Sequence, residues 1–193
     1  MFTGIVKKIG VIEFFDLESR ILGIKSSYKK LTLGESISCS GVCLTVSEMK
    51  KDVFFCNLSS ETMSKTNLNK RKIGDKLNIE RSLKIGDDLS GHLVFGHVDG
   101  ISPLKEIVDD ENSKILKFST TRKLLRYLTE KCSISIDGIS LTVNKTFQDS
   151  FSVSVIPYTW MNTNLKYSKI GDDFNIEIDM LARYVFKALK NEN

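Results

Sequence analysis

The chain has 193 residues and a formal net charge of +4, from 28 Lys and Arg against 24 Asp and Glu. Hydrophobic residues make up 41% and charged residues 27%, a composition that excludes collagen-like, low-complexity and strongly disordered proteins. The charge is mild and unclustered, and no apolar run approaches the ~20 residues of a membrane span, so we expect a protein that binds neither nucleic acid nor membrane. Because residues 1–8 lack a leader-peptide pattern, we expect it in the cytoplasm.

Short strands dominate the predicted elements. In chain order, the predicted strands are residues 36–40, 44–48, 53–58, 151–156 and 174–178. A helix is predicted at residues 121–128, from a Ser-Thr cap followed by an apolar face. Many short strands separated by turns are typical of antiparallel barrels, so the predicted class is all-β.

The last predicted element is an amphipathic helix. Its apolar stripe runs over residues 180–189, with Asp179 as the N-cap. Such a stripe must be covered, either by its own domain or by another subunit, and the pattern alone does not choose between these two arrangements.

The chain repeats itself. Residues 31–80 align with residues 128–177 without a gap, and 22 of these 50 positions are identical. Residues 2–6 align with residues 94–98 at an offset shorter by five, which places a five-residue insertion at a turn-rich stretch of the second copy, residues 109–113. Two copies of one domain indicate a duplication. The predicted units are residues 1–88, residues 89–179 and a C-terminal helix at 180–193.

The cysteines give no metal-binding pattern. Cys39, Cys43, Cys56 and Cys132 include no Cys-x-x-Cys pair, and the two histidines lie outside zinc-finger spacing. We therefore expect no metal, and reduced thiols that are mostly buried.

Five motifs carry a family resemblance. They are Met-Phe-Thr-Gly-Ile-Val at 1–6, Gly-Val-Cys-Leu-Thr-Val at 41–46, Gly-His-Leu-Val-Phe-Gly-His-Val at 91–98, Asp-Gly-Ile-Ser-Leu-Thr-Val at 137–143 and Asn-Ile-Glu-Ile-Asp at 175–179. Together, in this order and in both copies, they resemble the riboflavin synthase alpha-chain family, whose members carry duplicated lumazine-binding barrels. The resemblance covers essentially the whole chain.

The resemblance implies two six-stranded Greek-key barrels and a C-terminal helix that joins three chains into a homotrimer, with sites between barrels of neighbouring subunits. It implies a transferase that needs no cofactor: two molecules of 6,7-dimethyl-8-ribityllumazine give riboflavin and 5-amino-6-ribitylamino-pyrimidinedione by transfer of a four-carbon unit. It also implies association with lumazine synthase. Independently, a duplicated domain suits a reaction whose two substrates are the same molecule.

The resemblance assigns catalytic roles to Ser140, His97, Cys43, Asp137, Asp179 and Thr142. Ser140 and Cys43 are candidates for nucleophilic addition to one lumazine and for proton loss from the methyl group of the other, with covalent attack and mere positioning of a nucleophile both open. His97 is the candidate general acid–base, because imidazole titrates near neutral pH, whereas His92 is interpreted as structural. Without a catalytic role, Asp137 is interpreted as a turn residue and Asp179 as a helix cap.

The predicted substrate-binding residues fall into three groups. At the start of each copy they are Phe2, Gly4, Ile5, Val6, Gly96, His97 and Val98. On the central strands they are Ser36, Cys43, Leu44, Thr45, Lys131, Ser140, Leu141 and Thr142. In a second ligand-lining segment they are Asn57, Leu58, Ser59, Ser60, Glu61, Thr62, Ile156, Pro157, Tyr158, Thr159, Trp160 and Met161. Tyr158 replaces the Glu that is usual in the family, which weakens the transfer of a role to that position.

Two other functions stay open. Lumazine-carrying antenna proteins have the same fold without the catalytic set, so bound ligand without turnover would favour that class. A small-barrel nucleic-acid module would need exposed aromatic residues among basic ones, whereas the aromatic residues here fall mainly in apolar strands.

Overall fold

The computed structural model describes residues 1–191, so the last two residues of the predicted segment 180–193 lie outside it. The strands of the first half are β1 (Lys8–Asp16), β2 (Ile21–Lys25), β3 (Ser36–Cys39), β4 (Val42–Lys50), β5 (Val53–Asn57) and β6 (Lys76–Arg81). Those of the second half are β7 (Gly100–Asp110), β8 (Ser113–Ser119), β9 (Ser133–Ile136), β10 (Ile139–Thr146), β11 (Ser150–Val155) and β12 (Asp173–Ile178). The helices are α1 (Ser60–Lys65), α2 (Arg122–Leu125), α3 (Pro157–Asn162) and α4 (Met180–Asn191).

Each half closes into its own six-stranded barrel. The strand order is β1-β2-β5-β4-β3-β6 in the first and the equivalent β7-β8-β11-β10-β9-β12 in the second, with all named pairs antiparallel. Alternation along β4 shows why the barrel closes: Val42, Leu44 and Val46 are buried and fill the interior, while the residues between them face outward. This confirms the predicted all-β class and its two barrels.

The predicted elements are confirmed to within two residues, except for one helix. The helix predicted at 121–128 ends at Leu125, because the amides of Tyr127 and Leu128 bond to carbonyls only three residues back and the chain continues as tight turns. The second ligand-lining segments form the short helices α1 and α3, which the sequence analysis did not predict. The predicted insertion lies at the β7–β8 turn.

The starts of the two copies cross to the opposite barrel. Phe2 and Val94 form an antiparallel bridge between the two starting segments. Val6 then joins the hydrophobic core of the second barrel, whereas Val98 packs against the core of the first. The segment that begins each copy therefore packs against the core of the other copy's barrel.

Buried amides join the barrels along a seam with near-twofold symmetry. The Asn78 side chain donates to Asn164 Oδ1 at 2.9 Å, and the Asn164 backbone N–H donates back to Asn78 Oδ1 at 2.7 Å. Asn175 and Asn67, at the positions aligned with these two, repeat both bonds at 2.9 and 2.7 Å. Because every buried amide in this set has a partner, the seam fixes how the barrels face each other.

Helix α4 packs on the second barrel with one face only. Arg183 forms an ion pair with Asp99 at 2.5 Å, and the Phe186 and Tyr127 rings meet edge-on, with centroids 4.9 Å apart. The opposite face leaves Leu181, Tyr184, Val185 and Leu189 exposed. Among the helices within residues 1–191, none is both long enough and apolar enough to cross a membrane.

Candidate functional site

The first site lies on the outer face of the first barrel, and we define it by Cys43, Thr45, His97 and Val98. Cys43 and Thr45 project outward from β4 because Leu44, between them, points into the core. The Cys43 backbone N–H donates to the Gly96 carbonyl at 3.0 Å, which lays the segment carrying His97 and Val98 beside β4. This site is therefore built from both copies.

The second site has the same construction, and we define it by Ser140, Thr142, Ile5, Val6 and His92. Ser140 and Thr142 alternate on β10, and the Ser140 backbone N–H donates to the Gly4 carbonyl at 2.8 Å. The predicted starting residues Gly4, Ile5 and Val6 consequently line the second barrel rather than the first.

Glycine is required where each starting segment meets the opposite strand. Gly4 has φ +75° and Gly96 has φ +77°, a left-handed conformation that residues with a Cβ rarely adopt. A Cβ on Gly4 would lie 2.6 Å from the Ser140 Cβ, and one on Gly96 would lie 2.6 Å from the Cys43 Cβ. The backbone of each starting segment thus lies directly against a predicted reacting residue, with no room for a side chain between them.

His92 is a residue of the second site that the sequence analysis interpreted as structural. Its Nδ1 lies 2.6 Å from Ser140 Oγ, in a hydrogen bond whose donor depends on the imidazole tautomer. Burial lowers the pKa of His92, and the negative charge of Asp179 opposes that shift. Ser140 and His92 therefore form a hydrogen-bonded pair whose imidazole is influenced by the charge of Asp179, whereas His97 belongs with Cys43.

Helices α1 and α3 flank the two sites in equivalent ways. Met63 on α1 packs against the core of the first barrel, and Trp160 on α3 packs against that of the second. Ser59 caps α1 by accepting from the Thr62 backbone N–H, whereas α3 starts with Pro157 and lacks a side-chain cap. The two helices thus occupy equivalent positions in the two copies, but their N-termini are capped differently.

Tyr158 and its equivalent Glu61 are both exposed, as are most of their neighbours. The predicted residues of these two segments with exposed side chains are Asn57, Ser59, Ser60, Glu61, Ile156, Pro157, Tyr158 and Met161. Thr62, Thr159 and Trp160 are half-buried. Nothing in the barrel constrains residue 158 to be a carboxylate, which agrees with the replacement seen here.

Lys131 has an unusual backbone conformation. Its φ is +70°, and its N–H donates to the Val143 carbonyl at 2.8 Å. The aligned residue, Gly34, has φ +81° and makes the same bond to Val46 at 2.9 Å. Lysine in a conformation suited to glycine costs about 1–2 kcal/mol.

Asp137 lies in the seam and not at a substrate-accessible position, which corrects the prediction that it lines a site. Its carboxylate is fully buried, accepts from Asn67, Asn164 and the Asn175 backbone N–H, and pairs with Arg71 at 3.2 Å. Burial raises its pKa, and the Arg71 charge opposes that shift. The hairpin between β9 and β10, with Asp137 at φ +45°, leaves this side chain buried between the barrels.

Several other predicted contact residues are also buried. Phe2 is 0% exposed, and Leu44 and Leu58 are 4% exposed, so their side chains serve the packing. Leu141 is half-buried against the second core, and Ser36 lies opposite Thr45 in the β3–β4 ladder. The accessible part of each site is therefore smaller than the predicted set.

One cleft lies outside both sites. It has a volume of about 630 Å³ and lies between the barrels, where Asn67, Arg71, Asn164 and Asp173 are among its lining residues. The two sites themselves are open, with Thr45, His97 and Thr142 exposed. A substrate bound there would still present one face to solvent within a single chain.

Comparisons with known proteins agree with this architecture. A family model described as "Lumazine binding domain" matches residues 3–82 and 95–179. The chain is 39% identical over 189 residues to a riboflavin synthase of Actinobacillus pleuropneumoniae, covering 96% of this chain and 88% of that protein. It is 38% identical over 193 residues to a riboflavin synthase of Brucella abortus (strain 2308), covering 95% and 96%.

Solved structures of LumP have the same fold. LumP complexed with riboflavin superposes with a TM-score of 0.83 at 21% identity, covering 92% of this chain and 99% of that chain. LumP complexed with 6,7-dimethyl-8-(1'-D-ribityl) lumazine superposes with a TM-score of 0.81 at 20% identity and the same coverage.

Proposed function

The chain belongs to the lumazine-binding domain family, and we infer that it has riboflavin synthase activity, converting two molecules of dimethyl-ribityllumazine to riboflavin and a ribitylamino-pyrimidinedione. The observation that carries this inference is that one chain holds two sites of the same construction with different reacting groups. A reaction between two copies of one molecule needs that combination, because the substrates bind alike and then behave differently.

The reaction balances without a third reactant. One lumazine gives up a four-carbon unit and becomes the pyrimidinedione, and the other takes up this unit and becomes riboflavin. The atoms and electrons of two lumazines equal those of the two products, so no outside oxidant or reductant is required. We therefore include independence from a cofactor in the proposal.

At the second site, Ser140 is the group next to the ring. Neutral His92 accepts the Ser140 proton through the 2.6 Å hydrogen bond, which makes Oγ a better nucleophile or a better holder of an attacking water or ribityl hydroxyl. Asp179 favours the imidazolium that forms. Addition at the ring carbon next to the bridging nitrogen then activates that lumazine.

At the first site, Cys43 and His97 replace that pair. The His97 side chain is exposed, and its ring lies 6.0 Å from that of Phe95 between centroids. We propose that His97 moves the proton lost from the acidic methyl group, and that Cys43 lies against the ring. The hydroxyls of Thr45 and Thr142 can donate to and accept from the polar ring edge in their respective sites.

The open sites support a homotrimer, as the family resemblance implies. Leu181, Tyr184 and Leu189 are each at least 60% exposed on α4, and Ile156 and Tyr158 are exposed beside the second site. Burying such surfaces against another subunit is favourable at about 25 cal/mol per Å². A trimer that covers both would also close the sites between subunits.

Two further expectations remain part of the proposal. Four cysteines without a disulfide within residues 1–191 are typical of a reducing compartment, which supports a cytoplasmic location. Association with lumazine synthase rests on the family resemblance, and co-sedimentation of the two proteins would test it.

The test of the function is a single incubation. The purified chain is mixed with dimethyl-ribityllumazine under anaerobic conditions without added cofactor, and the products are quantified by chromatography. One riboflavin for every two lumazines consumed is the expected result. Binding without turnover would instead assign the chain to the lumazine-carrying class to which its fold is also similar, and absence of both would contradict the proposed function.

A further inference from the structure

Two buried glutamates hold the segments that cross between the barrels. Glu80, on β6, accepts from the backbone N–H groups of Thr3 at 2.8 Å and Gly4 at 3.0 Å. Glu177, its aligned equivalent on β12, accepts from those of Phe95 at 2.8 Å and Gly96 at 2.9 Å. Each carboxylate thus uses both oxygens on two consecutive peptide groups.

Each segment that a glutamate holds also bonds to the opposite barrel, through the carbonyl of its glycine. The Gly4 carbonyl accepts from Ser140 N and the Gly96 carbonyl accepts from Cys43 N, so a single glycine separates each glutamate from the other barrel's reacting residue. Glu80 is on the first barrel and Ser140 on the second, while Glu177 and Cys43 are placed the opposite way round. The two connections therefore cross.

The burial of these carboxylates is costly and is not offset by an ion pair. Glu80 is 8% and Glu177 4% exposed, and burial raises the pKa of each. Neither carboxylate forms a salt bridge within residues 1–191. A buried carboxylate whose partners are mainly backbone N–H groups fixes the position of that backbone to within a hydrogen-bond length.

The first connection extends one residue further. The Thr3 hydroxyl donates to Glu80 at 2.7 Å and accepts from the Ile5 N–H at 3.1 Å, so the order imposed by Glu80 reaches a wall residue of the second site. The aligned Phe95 has no hydroxyl, and Glu177 acts there through the two backbone bonds alone.

We propose that Glu80 and Glu177 are crossed positioning residues: Glu80 sets the Gly4–Ile5 wall against Ser140 in the second site, and Glu177 sets the Gly96–His97 wall against Cys43 in the first. The identity of the two sites as lumazine sites rests on the proposed function. The crossed arrangement itself does not depend on which ligand binds. A glutamate that only supported the fold would, when substituted, disturb the site on its own barrel, whereas a crossed positioning residue disturbs the site on the opposite barrel.

The test uses thiol reactivity in the full chain, which requires neither substrate nor turnover. The background is Cys132→Ser, in which Cys39 and Cys56 are buried with raised thiol pKa values and Cys43 reports on the first site. A second reporter, Cys43→Ser with Ser140→Cys, reports on the second site. The rate of modification by an aromatic disulfide is measured in each, with Glu80→Gln, Glu177→Gln or the control Glu35→Gln.

We expect each glutamate substitution to change the modification rate of the reporter on the opposite barrel. Glu177→Gln should change the Cys43 rate by about fivefold, the factor equivalent to one lost hydrogen bond of about 1 kcal/mol, and should leave the second reporter unchanged. Glu80→Gln should do the reverse. Glu35 is half-buried and bonds to Arg81 within the first barrel, so Glu35→Gln should change neither rate.

Three results would overturn the proposal: an effect on the glutamate's own barrel, equal effects on both reporters, or no effect. If a glutamine variant fails to fold, Glu80→Asp and Glu177→Asp retain the charge but shorten the reach, and the same crossed pattern is required of them. Because the reporters work without lumazine, a crossed pattern would leave the positioning role intact even if the unsubstituted chain made no riboflavin, a result that would contradict the proposed function.

Discussion

The two barrels are most alike where they hold each other and most different where substrate would react. The aligned pairs Asn78 with Asn175 and Glu80 with Glu177 make equivalent bonds at equivalent distances. At the outer face of the central strand, however, Cys43 stands where the other copy has Ser140. Shared residues therefore maintain the frame, and departures from symmetry identify the positions with individual roles.

One difference between the two copies lies in the seam that joins the barrels. Ser40 and Asp137 are aligned, as are Arg71 and Ser168, yet only Asp137 and Arg71 form an ion pair, with one member from each barrel. Two first barrels facing each other would juxtapose Arg71 with Ser40, and two second barrels would juxtapose Asp137 with Ser168. The ion pair thus favours a first barrel facing a second barrel, the combination that one chain provides, over two barrels of the same kind.

The largest expected effect comes from breaking this asymmetry. Asp137→Ala should lower the free energy of unfolding by about 3–5 kcal/mol, because it leaves the Arg71 guanidinium and the seam amides without their shared acceptor. Ser40→Ala removes one bond from the Asn78 N–H and should cost about 1 kcal/mol. Denaturant unfolding measures both, and equal losses would show that the charge pair does not distinguish the copies.

The second effect concerns the reacting groups. Ser140→Ala should lower kcat by about 10²-fold or more while lumazine binding changes little, because the variant loses the group paired with His92. Ser135→Ala is the matched control, since its hydroxyl is buried opposite Ser140 on β9 and has no hydrogen-bond partner in the described chain. Full turnover by Ser140→Ala would refute the role given to the second site.

A third effect is on pH dependence. Burial lowers the pKa of His92, so the unfolded chain binds this proton first, and the stabilising contribution of neutral His92 is present above pH ~6.5 and lost as the pH falls through the folded-state pKa. The acid limb of kcat/KM should accordingly lie below pH ~6.5, and His92→Gln should remove it. A pH–rate profile of both proteins checks this, and an unchanged limb in the variant would assign it to another group.

The smallest effect tests Lys131 against its aligned glycine. Lys131→Gly should raise the free energy of unfolding by up to about 1 kcal/mol, since it relieves a left-handed lysine, and should weaken lumazine binding. Lys30→Gly relieves a similar φ of +60° on the first barrel and should raise stability without changing affinity. Thermal unfolding and lumazine titration separate the two outcomes.

The fold was predictable from the sequence because repetition, alternation and motif order all act locally. The site was predictable only in part. The outward positions of Ser140, Thr142 and Cys43 follow from strand alternation, but the crossing of Gly4 to Ser140 joins residues far apart in the chain, which no local pattern encodes. His92 lies just before the aligned segment 94–98 of the second copy and has no aligned residue in the first copy, so the comparison of copies gave it no signal.

Asp137 shows the opposite error. Its place in a site-like motif indicated chemistry, while the burial that directs it into the seam depends on Asn67, Asn164 and Arg71, which belong to other segments. A carboxylate in a tight turn carries the same sequence signature whether it faces substrate or a neighbouring barrel.

The crossed starting segments have a consequence for a single copy of the domain. A single copy without its partner would leave Val6 or Val98 without the core that covers it, and would lack one wall of its site. One copy alone could therefore fill its core and complete its site only as a pair of separate chains that exchange their first residues. Within the single chain, the connection near residues 82–91 replaces that pairing and lets the two halves carry different reacting groups.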